Sequence, residues 1–154
     1  MEIALIAAGC FWGVEEAFRM LPGVLETEVG YTGGHTDNPT YKDVCSDTTG
    51  HAEALKIVFD PEIISYTEIL KKFFSIHDAT QVNRQGPDVG SRYRSAIFFT
   101  TPEQEAEAKD VFDEEQKAHT KTLATEIVSA STFYPAEEYH QKYFLKNGGG
   151  TCYL

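Results

Sequence analysis

An apolar run at residues 3–8 opens the chain, and directly after it Phe11, Val14, Phe18 and Leu21 recur at helical spacing until Pro22-Gly23 stops the pattern. A strand therefore hands over to a helix near residue 10. Leu25, Thr27, Val29 and Tyr31 then alternate with Glu26 and Glu28, the period of a half-buried strand, before residues 35–50 turn polar and rich in turn formers. The next strand is expected at 53–59, with Glu53 in phase with Leu55, Ile57 and Phe59. Ser65 and Glu68 make a capping box for a helix that buries Ile69, Leu70, Phe73 and Phe74. A second polar stretch at 78–92 leads into a strand whose Tyr93, Ser95, Ile97 and Phe99 share one face. Thr101-Pro102 with Gln104 begins a charged helix to about His119, a strand follows at 125–130, and a helix at 135–146 ends in Gly148-Gly149-Gly150.

The first six elements read strand, helix, strand, strand, helix, strand, which predicts an α+β two-layer sandwich with a ferredoxin-like core. At 154 residues, 42% of them hydrophobic, the chain fits a single domain with one core. The two long loops and a glycine-rich tail at 147–154 are expected over one side of the sheet. With 24 acidic against 13 basic residues, the net charge of −11 works against binding nucleic-acid phosphates or anionic membranes. No run approaches the roughly 20 apolar residues of a membrane span, and acidic Glu2 stands where a secretory leader would be basic, so the expected location is cytoplasmic. Three cysteines, Cys10, Cys45 and Cys152, suit a reducing compartment in which any disulfide is transient. Phosphate-cradling fingerprints and zinc-ligand spacings are absent from the sequence, and no bound cofactor or metal is expected.

Candidate chemistry centres on Cys10, at the expected strand-to-helix handover. Unpaired N–H groups and the helix dipole favour a thiolate there, which predicts a nucleophile. A small core thiol is the other reading of the position. Gly9 and Gly13 flank the site, and the adjacent rings of Phe11 and Trp12 cannot both face one core, so one of them is expected to line a pocket. Glu53, if its strand is regularly pleated, points inward, where lost hydration favours the protonated acid; if the strand starts one residue later, Glu53 is solvated. Tyr93 sits at a strand mouth much as Glu53 does, and both could face one cavity.

Several ordered motifs resemble peptide methionine sulfoxide reductase of type A over essentially the whole chain. They are Gly9-Cys10-Phe11-Trp12-Gly13, Gly30-Tyr31-Thr32-Gly33-Gly34, Thr40-Tyr41-Lys42-Asp43-Val44-Cys45-Ser46, Gly50-His51-Ala52-Glu53-Ala54, Gln85-Gly86 with Asp88, Tyr93-Arg94-Ser95-Ala96-Ile97, and Tyr139-His140-Gln141-Lys142-Tyr143. The resemblance implies reduction of the S epimer of methionine sulfoxide, free or in proteins, as oxidative repair. Cys10 would attack the sulfoxide sulfur, and Glu53 would protonate the oxygen so that it departs as water. Tyr41 and Tyr93 would hydrogen-bond that oxygen, Phe11 and Trp12 would wall the S-methyl group, and Asp88 and His140 would play an orienting part.

The resemblance also assigns Cys152 as the resolving thiol, condensing with the Cys10 sulfenic acid. A disulfide needs Cα atoms within about 7 Å, and the triple glycine supplies the mobility for a distant thiol to reach the helix start. With the chain ending at Leu154, the expected reductant of this disulfide is thioredoxin, acting directly. Cys45 is expected to be a buried structural thiol, with a resolving role as the alternative. Two other classes stay open: a hydrolase pairing Cys10 with His51 or His140, and a non-catalytic module that binds methionine-containing segments through Phe11 and Trp12.

Overall fold

The computed structural model describes residues 1–147; the glycine-rich tail and Cys152 lie outside the described residues. In chain order the elements are β1 (Glu2–Ala8), α1 (Phe11–Phe18), β2 (Val24–Thr32), α2 (Tyr41–Cys45), β3 (Ala52–Phe59), α3 (Tyr66–Ser75), β4 (Arg84–Gln85), β5 (Asp88–Val89), β6 (Ser95–Phe99), α4 (Pro102–Gln116), β7 (Glu126–Ser129), β8 (Tyr134–Pro135) and α5 (Tyr143–Lys146). Single 3₁₀ turns cover Ser91–Tyr93 and Glu138–His140. A six-stranded mixed sheet runs β7-β6-β1-β3-β2-β8. All its pairings are antiparallel except β6 with β7.

The pleat of β1 explains the layering. Ala4, Ile6 and Ala8 face a large core shared with Val14 and Phe18 of α1, Ile69, Leu70 and Phe73 of α3, and Ala108 and Val111 of α4. Leu5 and Ala7 face a smaller cluster with Ala52, Ala54, Ala96 and Phe98, partly covered by Ala130 and Phe133. Helices thus cover one face of an α+β fold, and the connection after β7 covers part of the other.

Several expectations give way to local detail. Leu25 is exposed because a register shift between Val24 and Glu26 breaks the alternation before Thr27, Val29 and Tyr31 turn inward. The polar stretch at 35–50 contains α2, opened by a capping box between Thr40 and Asp43. The stretch at 78–92 contains the β4–β5 hairpin, and Tyr93 ends a 3₁₀ turn rather than lying in a strand. Both faces of β6 are covered, so Ala96 and Phe98 are as buried as Ser95 and Ile97. The charged helix stops at Gln116. The helix expected at 135–146 is β8, a 3₁₀ turn, Lys142 in the left-handed region at φ 50°, and the single turn of α5.

Candidate active site

Gly9 makes the handover from β1 to α1 possible. Its φ of +101° is a conformation that side chains resist, and a Cβ there would meet Gln85 at 3.0 Å. Cys10 follows as the N-cap of α1, partly exposed, with its carbonyl accepting the Val14 N–H at 3.3 Å. It therefore sits at the positive end of the helix dipole. Glu53 arrives from β3, beside Tyr31 of β2, and is only 2% exposed. Its Oε1 accepts the Phe11 N–H, the first amide of the Cys10 helix, at 3.2 Å. Glu53 is therefore buried, as the regular pleat implies, and is not the solvated residue of a late strand start.

Two tyrosines reach the same neighbourhood from the two loops. Tyr41 opens α2, and its N–H donates to Glu137 Oε2 at 3.1 Å, while Glu137 Oε1 accepts the Tyr31 hydroxyl at 3.0 Å. Burial of Glu137 opposes its ionisation, but bonds from the Tyr41 and Glu137 amides and the Tyr31 hydroxyl outweigh it and hold its carboxyl below the usual value. Burial, then a hydrogen bond with Cys45, then the charge of Glu53 raise the Tyr41 phenol. Burial and then Glu53 raise Tyr93, with Arg92 pulling the other way and the charge of Asp88 adding to the rise. Both phenols remain hydrogen-bond donors at neutral pH.

His140 knits the aromatic side. It is 1% exposed, and its Nδ1 accepts the indole N–H of Trp12 at 2.9 Å. That bond assigns the proton of the neutral ring to Nε2, which is buried without a hydrogen-bond partner among the described residues. Burial lowers the His140 pKa despite the pull of Glu137. The rings of Tyr41 and Phe11 lie 4.5 and 5.3 Å from the imidazole. Phe11 joins the core, whereas Trp12 is partly exposed and stacks on Tyr143 at 3.8 Å and 7°. The two adjacent rings divide as their spacing implies.

The hydrolase reading loses its histidines. His51 Nδ1 accepts the Gly34 N–H at 3.0 Å and its Nε2 is 2.8 Å from the Thr36 carbonyl, so both nitrogens serve the loop. His140 Nδ1 is taken by Trp12. Cys45 is partly exposed at the end of α2 rather than buried; Val44 is the residue of that short helix turned into the core. Among the described residues no group of three or more His, Cys, Asp and Glu could hold a metal ion, and no helix is long and apolar enough to cross a membrane. Sequence reasoning misses Glu137, which nothing in the pattern separates from its exposed neighbour Glu138, and gives no role to Gln85, whose side chain spans the Asp78 amide and carbonyl at 2.9 and 3.0 Å. The Thr40-x-x-Asp43 pattern is the signal that marks α2.

The family model for peptide methionine sulfoxide reductase matches residues 2–154. The chain is 52% identical to peptide methionine sulfoxide reductase MsrA of Geobacter sulfurreducens, over 99% of this chain and 95% of that one. With MsrA of Acidobacterium capsulatum it shares 50% identity over the full length of both. Mxr1 from Saccharomyces cerevisiae in reduced form superposes with a TM-score of 0.93 at 37% identity, covering 99% of this chain and 88% of that one. Mxr1 in complex with Trx2 gives a TM-score of 0.67 at 25% identity, covering 92% and 84%.

Proposed function

The chain belongs to the peptide methionine sulfoxide reductase family, and from that membership we propose how its own residues carry the reaction. It is a peptide-methionine (S)-S-oxide reductase, thiol-dependent and recycled by thioredoxin. Cys10 attacks the sulfoxide sulfur while Glu53 delivers a proton to the oxygen. The S–O bond breaks as the oxygen, carrying the Glu53 proton and the thiol proton of Cys10, leaves as water. A water then attacks the Cys10 sulfur, the new S–S bond breaks to release the thioether, a proton returns to Glu53, and Cys10 is left oxidised by two electrons as a sulfenic acid. Tyr41 and Tyr93 donate hydrogen bonds to the oxygen as it takes up charge. Phe11 and Trp12 enclose the methyl group, His140 orients the indole it is bonded to, and Asp88, whose charge reaches Tyr93, has an orienting part there. The thiol of Cys152, outside the described residues, then attacks the sulfenic acid and expels water, and thioredoxin's dithiol reduces the resulting disulfide. The thiols supply every electron, so this reading needs no bound cofactor.

The observation that carries this reading is the 3.2 Å bond from the Phe11 N–H to Glu53 Oε1, which ties the acid to the first turn of the helix capped by Cys10. The framework fits the same reading. We take residues 1–154 as one catalytic domain with 147–154 as its tail, working in the cytoplasm. Its core is ferredoxin-like, since β1, α1, β2, β3, α3 and β6 build the sheet order β6-β1-β3-β2. The test is a single turnover of pre-reduced protein on methionine-S-sulfoxide, followed by mass mapping of thiols. One thioether per protein and a disulfide between Cys10 and Cys152 are expected. A disulfide from Cys10 to Cys45 would remove the tail from the mechanism, and no product at all would remove the reductase reading. Cys10→Ser is expected to lower the rate by about 10⁴-fold or more, since the attack on sulfur loses its thiolate nucleophile.

A further inference from the structure

Arg92 has no part in the chemistry above, yet its side chain is only 17% exposed and touches both loops of the site. Its Nη1 donates to the Cys45 carbonyl at 3.2 Å and to Asp47 Oδ2 at 2.7 Å. Its guanidinium lies 4.5 Å from the centroid of the Tyr93 ring. Cys45 ends the helix that Tyr41 begins, and Tyr93 is the residue after Arg92. The loops also meet at Gly90, whose φ is +140° and where a Cβ would stand 2.7 Å from Asp47 Oδ2.

An exposed ion pair between these loops would hold little. Here a single guanidinium nitrogen binds both a carbonyl and a carboxylate while the planar face of the group lies over an aromatic ring, a stacking that a lysine ammonium lacks. Glu137 fixes the N-terminal end of α2 through the Tyr41 amide, and Arg92 grips the C-terminal end. We propose that Arg92 is a positioning residue for the sulfoxide oxygen: it fastens the Tyr93 turn to the Tyr41 helix and so sets the separation of the two hydroxyls. The inference rests on the roles given to Tyr41 and Tyr93 above.

Single-turnover rates on methionine-S-sulfoxide, measured for the full chain as wild type, Arg92→Leu, Tyr93→Phe and the double variant, test it. Arg92→Leu is expected to cost about tenfold or more, because misplacement by about 1 Å can cost up to 10²-fold. Arg92→Lys recovers only part of that. In the Tyr93→Phe background the same change should cost under about threefold, since the hydroxyl it positions is gone. Losses that multiply in the two backgrounds, with the Tyr93 effect intact, overturn the inference and leave the oxygen-binding reading standing. A Tyr93→Phe protein as fast as wild type overturns both. If thermal melting shows Arg92→Leu to be unfolded, Asp47→Ala breaks the same grip from the other side, and the cycle with Tyr93→Phe is read in the same way.

Discussion

The handover from β1 to α1 and the segment from β8 to α5 meet at Trp12, and they are held in place by different means. At the handover, backbone pattern does the positioning: a strand ends, a glycine turns, a helix starts, and Cys10 falls at its cap. In the C-terminal segment, side chains stand in for backbone. The Gln141 amide accepts the Val29 N–H at 2.9 Å and donates to the Val29 and Ala136 carbonyls at 2.9 and 3.0 Å, imitating a strand residue along the edge of β2. Glu15 of α1, 1% exposed, accepts the Lys142 amide at 2.5 Å and the Thr27 hydroxyl at 2.7 Å. A region built on periodicity can be altered chemically without moving, whereas a region built on single long side chains moves when one of them is lost.

Glu53→Gln gives the largest test of that difference. Glutamine keeps an acceptor for the Phe11 N–H and the volume of the acid, so the melting temperature should stay close to that of wild type. It cannot supply the proton, and the single-turnover rate should fall by about 10²–10⁴-fold. A loss below threefold would mean that the oxygen is protonated from elsewhere.

The framework beneath the handover has its own sensitivity, to acid. His77, at the end of α3, lies with Nδ1 2.7 Å from the Phe73 carbonyl and Nε2 2.8 Å from the Ser95 hydroxyl, which in turn lies 2.8 Å from the Thr125 hydroxyl. Burial, against the pull of the Phe73 carbonyl, lowers its pKa from 6.5 to about 4. A group whose folded pKa is depressed binds fewer protons folded than unfolded between those values, so its contribution is full above pH 6.5 and is lost as pH falls toward 4. The loss amounts to about 3 kcal/mol. Urea unfolding of wild type and His77→Gln at pH 7 and pH 4.5 should show their stabilities converging as pH falls, and parallel curves would assign the acid sensitivity to the carboxylates.

The same contrast explains what could be read from the sequence. Residues 3–8, the α1 face and the Glu53 phase follow backbone periods and the Ser65 capping box is a local signal; the structure follows them closely, except that α1 stops at Phe18, three residues short of Leu21. Residues 135–146 satisfy a helical pattern yet form β8, a 3₁₀ turn and α5, because Gln141 and the Glu15 bond to Lys142 capture the chain in conformations that no period announces. Glu137 and Arg92 were illegible for the same reason: their partners lie 96 and 47 residues away in the chain, at the Tyr41 amide and the Cys45 carbonyl. Gln141→Ala should therefore cost about 1–3 kcal/mol, because it strands the Val29 N–H, while the Val29 carbonyl keeps the Ala136 amide. Hydrogen exchange should rise first at residues 134–146, and uniform exchange would show that the segment is held by something else.

The smallest expected effect belongs to Trp12→Phe, which tests the seam between the two regions. Phenylalanine keeps an aromatic face for the Tyr143 stack but removes the N–H that His140 Nδ1 accepts. One hydrogen bond is lost and the imidazole acceptor stays buried, so stability should fall by about 1 kcal/mol. The ring also loses the bond that fixed its tautomer, and a proton on Nδ1 becomes as accessible as one on Nε2. His140 packs against Tyr41 at 4.5 Å, so the disturbance reaches the oxygen-binding side, and the turnover rate should fall by less than about tenfold. The ring NMR signals of His140 discriminate the causes: a changed tautomer with an unchanged fold places the effect in the Trp12 bond, whereas an unchanged tautomer means that the packed rings of Phe11, Tyr41 and Tyr139 hold the imidazole without it.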